Sequence, residues 1–386
     1  MKRTRHQTGY IFKKGRAWYL RFYDTVLKEG KVVRLQRCKK ITDISGAYTT
    51  KRSVRELAAD LLKPMNEGTQ DPVATMSLAD YIEQFYLPYV EDQKRASTLR
   101  GYRNLFRRYI KPRGTIALRD FRTVDGERLM TEISRKEDLS RTSLGHIKSF
   151  LSGVFRYCRR QGVLNVPNPM RDVATPKART GNETYAYSLE EISRMIAVLP
   201  SKAATIVAVA GLTGIRKGEL RGLLWENYDG QQLQITRSIW RSHVEEPKTP
   251  SSKSPVPVIQ QLAAKLERYR IESGNPKHGL IFPNGLGNPI NLDQLAFETI
   301  KPILKEVGIA WHGWHAFRRG LATNLHRLGV KDKDIQAILR HSNLSTTMNI
   351  YVKSVSVDAA AAMDTLNSHY ATTMQPALKE NTSRPN

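Results

Sequence analysis

The feature that most constrains the fold is a change in hydrophobic periodicity along the chain. Between residues 9 and 41 lie three short runs of β-branched and aromatic residues, and in the second run Trp18, Leu20 and Phe22 alternate with aromatic and charged residues. This spacing places apolar groups on one face of a β-strand. Beyond residue 50 the period becomes that of an amphipathic helix. The pattern therefore predicts a small β module followed by a long, mainly helical region.

The β module is expected to hold three strands and one helix within residues 1–70. The strand-like runs are 10–12, 17–23 and 32–37, with turn-like residues between them. A helix over 51–62 carries an apolar stripe, and Pro64 and Gly68 are expected to end it. One sheet face can then pack on this helix while the other presents Arg21 and tyrosines.

Two further domains follow the β module. Residues 71–175 carry helical stripes over 78–89, 98–110 and 141–161, and Ser140 is placed to cap the last helix. The segment 172–187 is polar and aperiodic, so we interpret it as a linker. Residues 188–191 form a capping-box sequence that opens a third domain, 176–370, with strands expected over 232–240 and 256–259. Residues 371–386 are predicted to form a flexible tail. The predicted fold class for the whole chain is multidomain α+β.

The charge balance points to a polyanionic partner. The chain has 62 basic and 36 acidic residues, a formal net charge of +26. The excess is spread over the chain: +11 in residues 1–70, +7 in 71–175 and +8 in the remainder. A net charge of about 2–8 in magnitude is enough to keep a small domain soluble. A surplus in every region favours a protein that lies along nucleic acid.

Several other classes are disfavoured. Cys38 and Cys158 are far apart and in no metal-ligand spacing, which suits a reducing compartment and argues against a zinc finger or a disulfide framework. No run approaches 18 apolar residues, so we expect no membrane span and a cytoplasmic protein. We expect no cofactor and no metal.

Six residues in the C-terminal half form an ordered set with a common chemistry. They are Arg216, Lys248, His315, Arg318, His341 and Tyr351. Arginine forks donate paired hydrogen bonds to phosphate, and histidine donates or moves a proton near neutral pH. A lysine can protonate a leaving oxygen. A tyrosine, with an unperturbed pKa of about 10, attacks phosphorus when cations stabilise its phenolate.

Each assignment has a rival. Lys253 lies in the same expected hairpin as Lys248, and His312 lies near His315. His315 is preferred because it stands three residues before Arg318, on the same helix face. Tyr370 is a second C-terminal tyrosine. A helix-turn-helix over 331–351 would explain that segment alone, without the residues that precede it.

The order and spacing of this set resemble the active site of the phage-type tyrosine recombinases. The resemblance is specific over 211–221, 315–323 and 339–351, and weaker towards the N-terminus. Two departures stand out: Arg319-Gly320 occupies a position where the family usually has His-Thr, and Arg340 one where it usually has Gly.

The resemblance implies a site-specific integrase. The β module would bind arm-type DNA sites and the helical domain core-type sites. A tetramer on double-stranded DNA would exchange strands through a 3′-phosphotyrosine intermediate and a Holliday junction, with a host DNA-bending protein and an excisionase as possible partners. The alternatives are a chromosome-dimer-resolving recombinase, a type IB topoisomerase and an inactive DNA-binding regulator.

Overall fold

The computed structural model describes residues 6–28, 30–66, 71–180, 184–246 and 253–343. The chain forms two compact units, residues 1–182 and 183–386. The first contains a three-stranded sheet and a helical part, and the second is mainly helical with two small β ladders. The α+β fold class predicted from the sequence is confirmed.

The N-terminal sheet is an antiparallel meander. Its strands are β1 (Tyr10–Lys14), β2 (Ala17–Lys28) and β3 (Lys31–Asp43), with β2 in the centre. Trp18, Leu20 and Phe22 are buried against helix α1 (Arg55–Asn66), because alternation turns all three towards the same face. The opposite face exposes Arg21 and Tyr23, as the sequence predicted.

Helix α1 ends at Asn66, between Pro64 and Gly68, the two residues predicted to end it. A tertiary contact holds its last residue. The Asn66 side-chain amide donates to the carbonyl oxygen of Gln7 over 2.9 Å, and Asn66 Oδ1 accepts from the Gln7 backbone N–H over 2.9 Å. This reciprocal pair joins the end of the helix to the segment before β1.

A buried carboxylate attaches the sheet to the helical part of the same unit. Asp24 lies on the inward side of β2 and is 1% exposed. Arg119 donates hydrogen bonds to it from both terminal guanidinium nitrogens: Nη1 donates to Oδ1 over 3.1 Å, and Nη2 donates to Oδ2. Nearby, the Leu27 backbone N–H donates to Thr75 Oγ1 over 3.2 Å. A charge this deeply buried requires a partner, so Arg119 fixes the sheet at this place.

The helical part of the first unit packs around α6. Its helices are α2 (Leu78–Tyr81), α3 (Leu87–Gln93), α4 (Ala96–Leu105), α5 (Thr123–Lys136) and α6 (Arg141–Arg160). The π-helical segments Ile82–Tyr86 and Phe106–Ile110 extend α2 and α4. The apolar stripe of α6 forms the centre of the core, and the Ser140 side chain accepts from the Ser143 N–H over 3.3 Å, which confirms the predicted cap.

The second unit surrounds the buried helix α8. Its helices are α7 (Leu189–Val198), α8 (Ser201–Thr213), α9 (Lys217–Leu220), α10 (Gln260–Glu272), α11 (Leu292–Leu295), α12 (Lys301–Glu306), α13 (Trp314–Arg327) and α14 (Asp332–Leu339). The predicted capping box is present: the Ser188 N–H donates to Glu191 Oε2 over 2.8 Å, and the Glu191 N–H to Ser188 Oγ over 3.1 Å.

The strand predicted over 232–240 is two strands. Residues Gln232–Leu233 form β4, which pairs with β7 (Val256–Pro257), whereas Ser238–Trp240 form β5, which pairs with β6 (His243–Glu245). Between the two strands, Arg237 packs closely on Gly222, where an added Cβ would lie 2.8 Å from Arg237 Cγ. Across the described ranges, no helix combines the length and apolarity that a membrane crossing needs.

Candidate active site

Helix α8 delivers Arg216 to the site through a tight turn. The helix is followed by its C-cap Gly214, whose backbone is left-handed (φ 60°). Arg216 is the N-cap of α9. A Cβ on residue 214 would approach Leu339 Cδ2 to 2.8 Å. Glycine is therefore required here both by its backbone conformation and by contact with α14.

Glu219 orients Arg216. Its Oε1 accepts from Arg216 Nη1 over 2.9 Å, and its Oε2 accepts from the Arg216 backbone N–H over 3.1 Å. Glu219 is 3% exposed, whereas the Arg216 side chain is 35% exposed. The carboxylate thus fixes the base of a guanidinium that remains open to solvent.

Arg318 is the centre of the site and is 2% exposed. Its Nη1 donates to the Gly214 carbonyl over 2.7 Å, Nη2 donates to the Leu339 carbonyl, and Nε donates to His341 Nε2 over 3.2 Å. These bonds join the ends of α8 and α14 to α13. Burial and the charges of Arg216 and Arg340 lower the pKa of Arg318 to about 9, against the opposing effect of Glu219, so the group stays charged at neutral pH.

His341 is neutral at physiological pH. Burial, followed by the charges of nearby Arg318 and Arg216, lowers its pKa to about 4. Because Nε2 accepts the hydrogen bond from Arg318, the proton of the neutral ring is on Nδ1. His341 is further held by its backbone, since Gln336 Nε2 donates to the His341 carbonyl over 3.0 Å.

His315 and its rival His312 have different surroundings. Partial burial, then the charges of Arg319, Arg318 and Arg216, lower the pKa of His315. His312 instead stacks on the Tyr185 ring at a centroid distance of 3.8 Å. The arginine cluster therefore influences His315, which agrees with the choice made from its spacing to Arg318.

The first departure from the family pattern has a packing explanation. Arg319 Nε donates to the Tyr185 carbonyl over 2.7 Å. A Cβ on Gly320 would lie 2.4 Å from the Tyr187 carbonyl oxygen. This pair lets the segment before α7 lie directly on α13, and a larger residue at 320 would push that segment away.

The second departure, Arg340, was not assigned a role from the sequence, yet it belongs to the site. It is 2% exposed, and its Nη2 lies 2.6 Å from Glu219 Oε2. The sequence signal was present in the arginine that replaces the usual glycine, but its partner is 121 positions away and only the fold reveals it.

Arg221 anchors the β5–β6 ladder beside the site. It donates to the carbonyl oxygens of Ile290, Ile239 and Arg241 over 2.8, 3.1 and 2.9 Å. Lys248 follows this ladder in the sequence and lies outside the described residues. Lys253 is described: it is exposed, and its Nζ is 2.8 Å from Glu246 Oε2.

The structure thus brings Arg216, Arg318 and His341 together, with His315 one helical turn from Arg318. Tyr351 and its rival Tyr370 lie outside the described residues, as does the second helix of the helix-turn-helix alternative. Within the described ranges, no three histidine, cysteine or carboxylate side chains are grouped as metal ligands.

The fold thus holds a cluster of arginine and histidine side chains of the kind that binds a phosphate. Residues 187–356 match the model of the phage integrase family. The predicted resemblance to phage-type tyrosine recombinases is therefore confirmed, and residues 187–356 carry the catalytic domain of a site-specific recombinase.

Whole-chain comparisons agree. A tyrosine recombinase XerC-like protein of Caldanaerobacter subterraneus subsp. tengcongensis is 25% identical, covering 94% of this chain and 98% of its own. An integrase of Streptomyces ambofaciens is 23% identical, covering 80% and 84% respectively. Two solved structures share the fold. One is a Tn1549 transposon integrase with transposon right end DNA (TM-score 0.62, 21% identity, 76% of this chain and 100% of that one). The other is a lambda integrase dimer bound to a COC′ core site (TM-score 0.56, 15% identity, 88% and 93%).

The depressed pKa of His341 predicts a pH effect on stability. A folded-state pKa of about 4, below the ordinary value of 6.5, contributes stability above pH 6.5 that is lost as the pH falls towards 4. The loss amounts to on the order of 3 kcal/mol. His341→Gln should remove this part of the pH dependence, seen as a smaller drop in thermal midpoint between pH 7 and pH 4.5. The exposed His312→Gln serves as the control, and an unchanged slope in His341→Gln would contradict the prediction.

Proposed function

We propose that the chain integrates and excises a mobile DNA element, such as a prophage or transposon, through a 3′-phosphotyrosine intermediate formed by Tyr351. The observation that carries this proposal is the convergence of Arg216, Arg318 and His341 on one place, in a chain that also has an N-terminal basic sheet. Arg216 and Arg318 would bind the scissile phosphate, and His315 and His341 would donate to its oxygens.

The proposed reaction is a phosphoryl transfer in which a tyrosine is the nucleophile and arginine side chains supply positive charge. Tyr351 gives its phenol proton to His315, and its oxygen attacks phosphorus to form a phosphotyrosine bond. The bond to the 5′ oxygen breaks, and that oxygen takes a proton from Lys248. Developing negative charge on the phosphoryl oxygens is stabilised by preorganised cations. The new ester conserves the energy of the broken bond, so rejoining needs no ATP, and no step requires a metal or cofactor.

The stoichiometry of strand exchange supports a tetramer. Two duplexes contain four strands, and each strand exchanged needs one nucleophile. With one Tyr351 per chain, four protomers act on two duplexes and pass through a Holliday junction. A host DNA-bending protein and an excisionase would assist such an assembly, and DNA as the substrate implies action in the bacterial cytoplasm.

The first unit offers two basic, aromatic surfaces for DNA, which supports its division into an arm-binding domain (1–70) and a core-binding domain (71–175). The catalytic domain (176–370) and a tail (371–386) follow in the proposed organisation. On the sheet, Arg21 lies over the Phe12 ring at 5.2 Å and Arg34 over the Tyr23 ring at 4.7 Å. The helical part has a groove lined by tyrosines and by Arg156, Arg159 and Arg160. Cations over aromatic faces are prearranged to meet phosphates and bases.

Chromosome-dimer resolution is the second candidate, because relatives bear the XerC name. The sheet module favours element integration, since a protein that binds two kinds of site needs two DNA-reading domains. The match to the XerC-like relative covers 94% of the chain, so similarity alone does not separate the two functions. The number of DNA motifs that the protein binds does separate them.

Replacement of the nucleophile tests the chemistry. Tyr351→Phe keeps the ring and removes the attacking oxygen, so DNA binding should persist while the covalent adduct disappears. The assay uses a nicked suicide duplex carrying a core sequence enriched from a random library, with adducts resolved on denaturing gels. Tyr370→Phe is the matched control and should form adduct at the wild-type rate. An adduct with Tyr351→Phe would refute the assignment.

The leaving-group acid is tested by chemical rescue. Lys248→Ala should slow cleavage by about 10²–10⁴-fold, the usual contribution of a general acid. A 5′-phosphorothiolate substrate, whose leaving sulfur needs no proton, should restore the rate. Lys253→Ala, which breaks only the exposed pair with Glu246, should cleave normally. If the phosphorothiolate rescued Lys253→Ala and not Lys248→Ala, the acid would be Lys253.

The sheet surface is tested by DNA selection. The full chain should enrich two distinct motifs from random duplexes, and Arg21→Ala should weaken binding to one of them by about tenfold with the other unchanged. Arg55→Ala removes the same charge from the start of α1, on the far side of the sheet, and should bind both motifs normally. A single enriched motif, bound equally by Arg21→Ala, would favour chromosome-dimer resolution.

A further inference from the structure

The backbone at residue 340 has a conformation that arginine rarely adopts. Arg340 ends α14 with φ 55° and ψ 45°, in the left-handed region. A side chain there crowds the following carbonyl, and glycine avoids this cost. The arginine is therefore strained relative to glycine at this position, and its side-chain contacts must offset the strain.

Those contacts lie inside the protein. Arg340 is 2% exposed and Glu219 is 3% exposed, and their side chains meet at 2.6 Å between Nη2 and Oε2. Two charges this deeply buried are held in one geometry, because separating them would leave an uncompensated charge away from water.

The same carboxylate holds Arg216. Glu219 Oε1 accepts from Arg216 Nη1 over 2.9 Å, and Oε2 accepts from the Arg216 N–H over 3.1 Å. A second link runs through the backbone, since Arg216 Nη2 donates to the Arg340 carbonyl over 3.2 Å. Arg340 therefore reaches Arg216 from both ends, through its side chain by way of Glu219 and through its own carbonyl oxygen.

The charges give this arrangement a second consequence. Arg216 and Glu219 alone would form a neutral pair with little attraction for a phosphate. The added Arg340 gives the three groups a net charge of +1. With Arg318 the local charge is +2, which suits a phosphodiester that gains negative charge during attack.

We propose that Arg340 is a positioning residue that aims Arg216 at the scissile phosphate through Glu219 and its own carbonyl oxygen. The inference rests on the proposed function and deepens it. In this proposal Arg340 does not itself bind the phosphate. It fixes the orientation of Arg216, which does, and it makes the net charge of the group positive.

The test compares Arg340→Gly with wild type in single-turnover cleavage of the suicide duplex. Glycine relaxes the left-handed backbone but removes the ion pair, so cleavage should slow by about 10- to 100-fold, as expected when a catalytic group is misplaced by about 1 Å. The Kd for the duplex should change by less than about threefold, because most phosphate contacts lie elsewhere. Arg340→Lys, which keeps the charge, should recover part of the rate.

Two signatures separate positioning from a merely structural role. Millimolar guanidinium ion should raise the cleavage rate of Arg340→Gly, by occupying the space beside Glu219, and leave wild type unaffected. In a Glu219→Gln background, Arg340→Gly should cause little additional loss, because the two residues act as one unit.

The outcomes distinguish the inference from the function on which it rests. Absence of a covalent adduct with wild type would overturn the proposed function and the inference with it. A wild-type adduct together with an equal cleavage rate for Arg340→Gly would overturn the inference alone. It would also be overturned if Arg340→Gly and Arg340→Lys lost activity only in proportion to their lost folded fraction, without rescue by guanidinium.

Discussion

The candidate site depends on one buried carboxylate among arginines. Glu219 bonds both Arg216 and Arg340, and its charge opposes the repulsion that Arg318 experiences from the other two. Without a counterion, like charges held out of water would separate or lose their protons. With it, helix ends from distant parts of the chain meet in one place, and the net positive charge needed for a phosphate remains.

This arrangement also decides how the histidines can act. The arginine charges and burial hold the pKa of His341 at about 4 and lower that of His315. Both rings are therefore suited to donate hydrogen bonds as neutral groups, while the arginines supply the positive charge. In His341 the bond from Arg318 further selects the tautomer, because an acceptor nitrogen cannot carry the proton.

Periodicity and local signals predicted the fold well where local chemistry controls it. The alternation around Leu20 predicted the buried sheet face, and the capping sequences at Ser140 and Ser188 predicted the starts of their helices, since both signals act within a few residues. The inward Asp24 could not be predicted, because it depends on Arg119, a partner 95 positions away.

The sequence by itself determined the class of chemistry, because the residue types that bind a phosphate and attack it occur in a family-specific order. The tertiary structure decided which cations work together and how they are held. Arg340 was visible in the sequence only as a departure from the family pattern. Its role depends on a contact with Glu219 across 121 positions, and contacts of that range arise only when the chain folds.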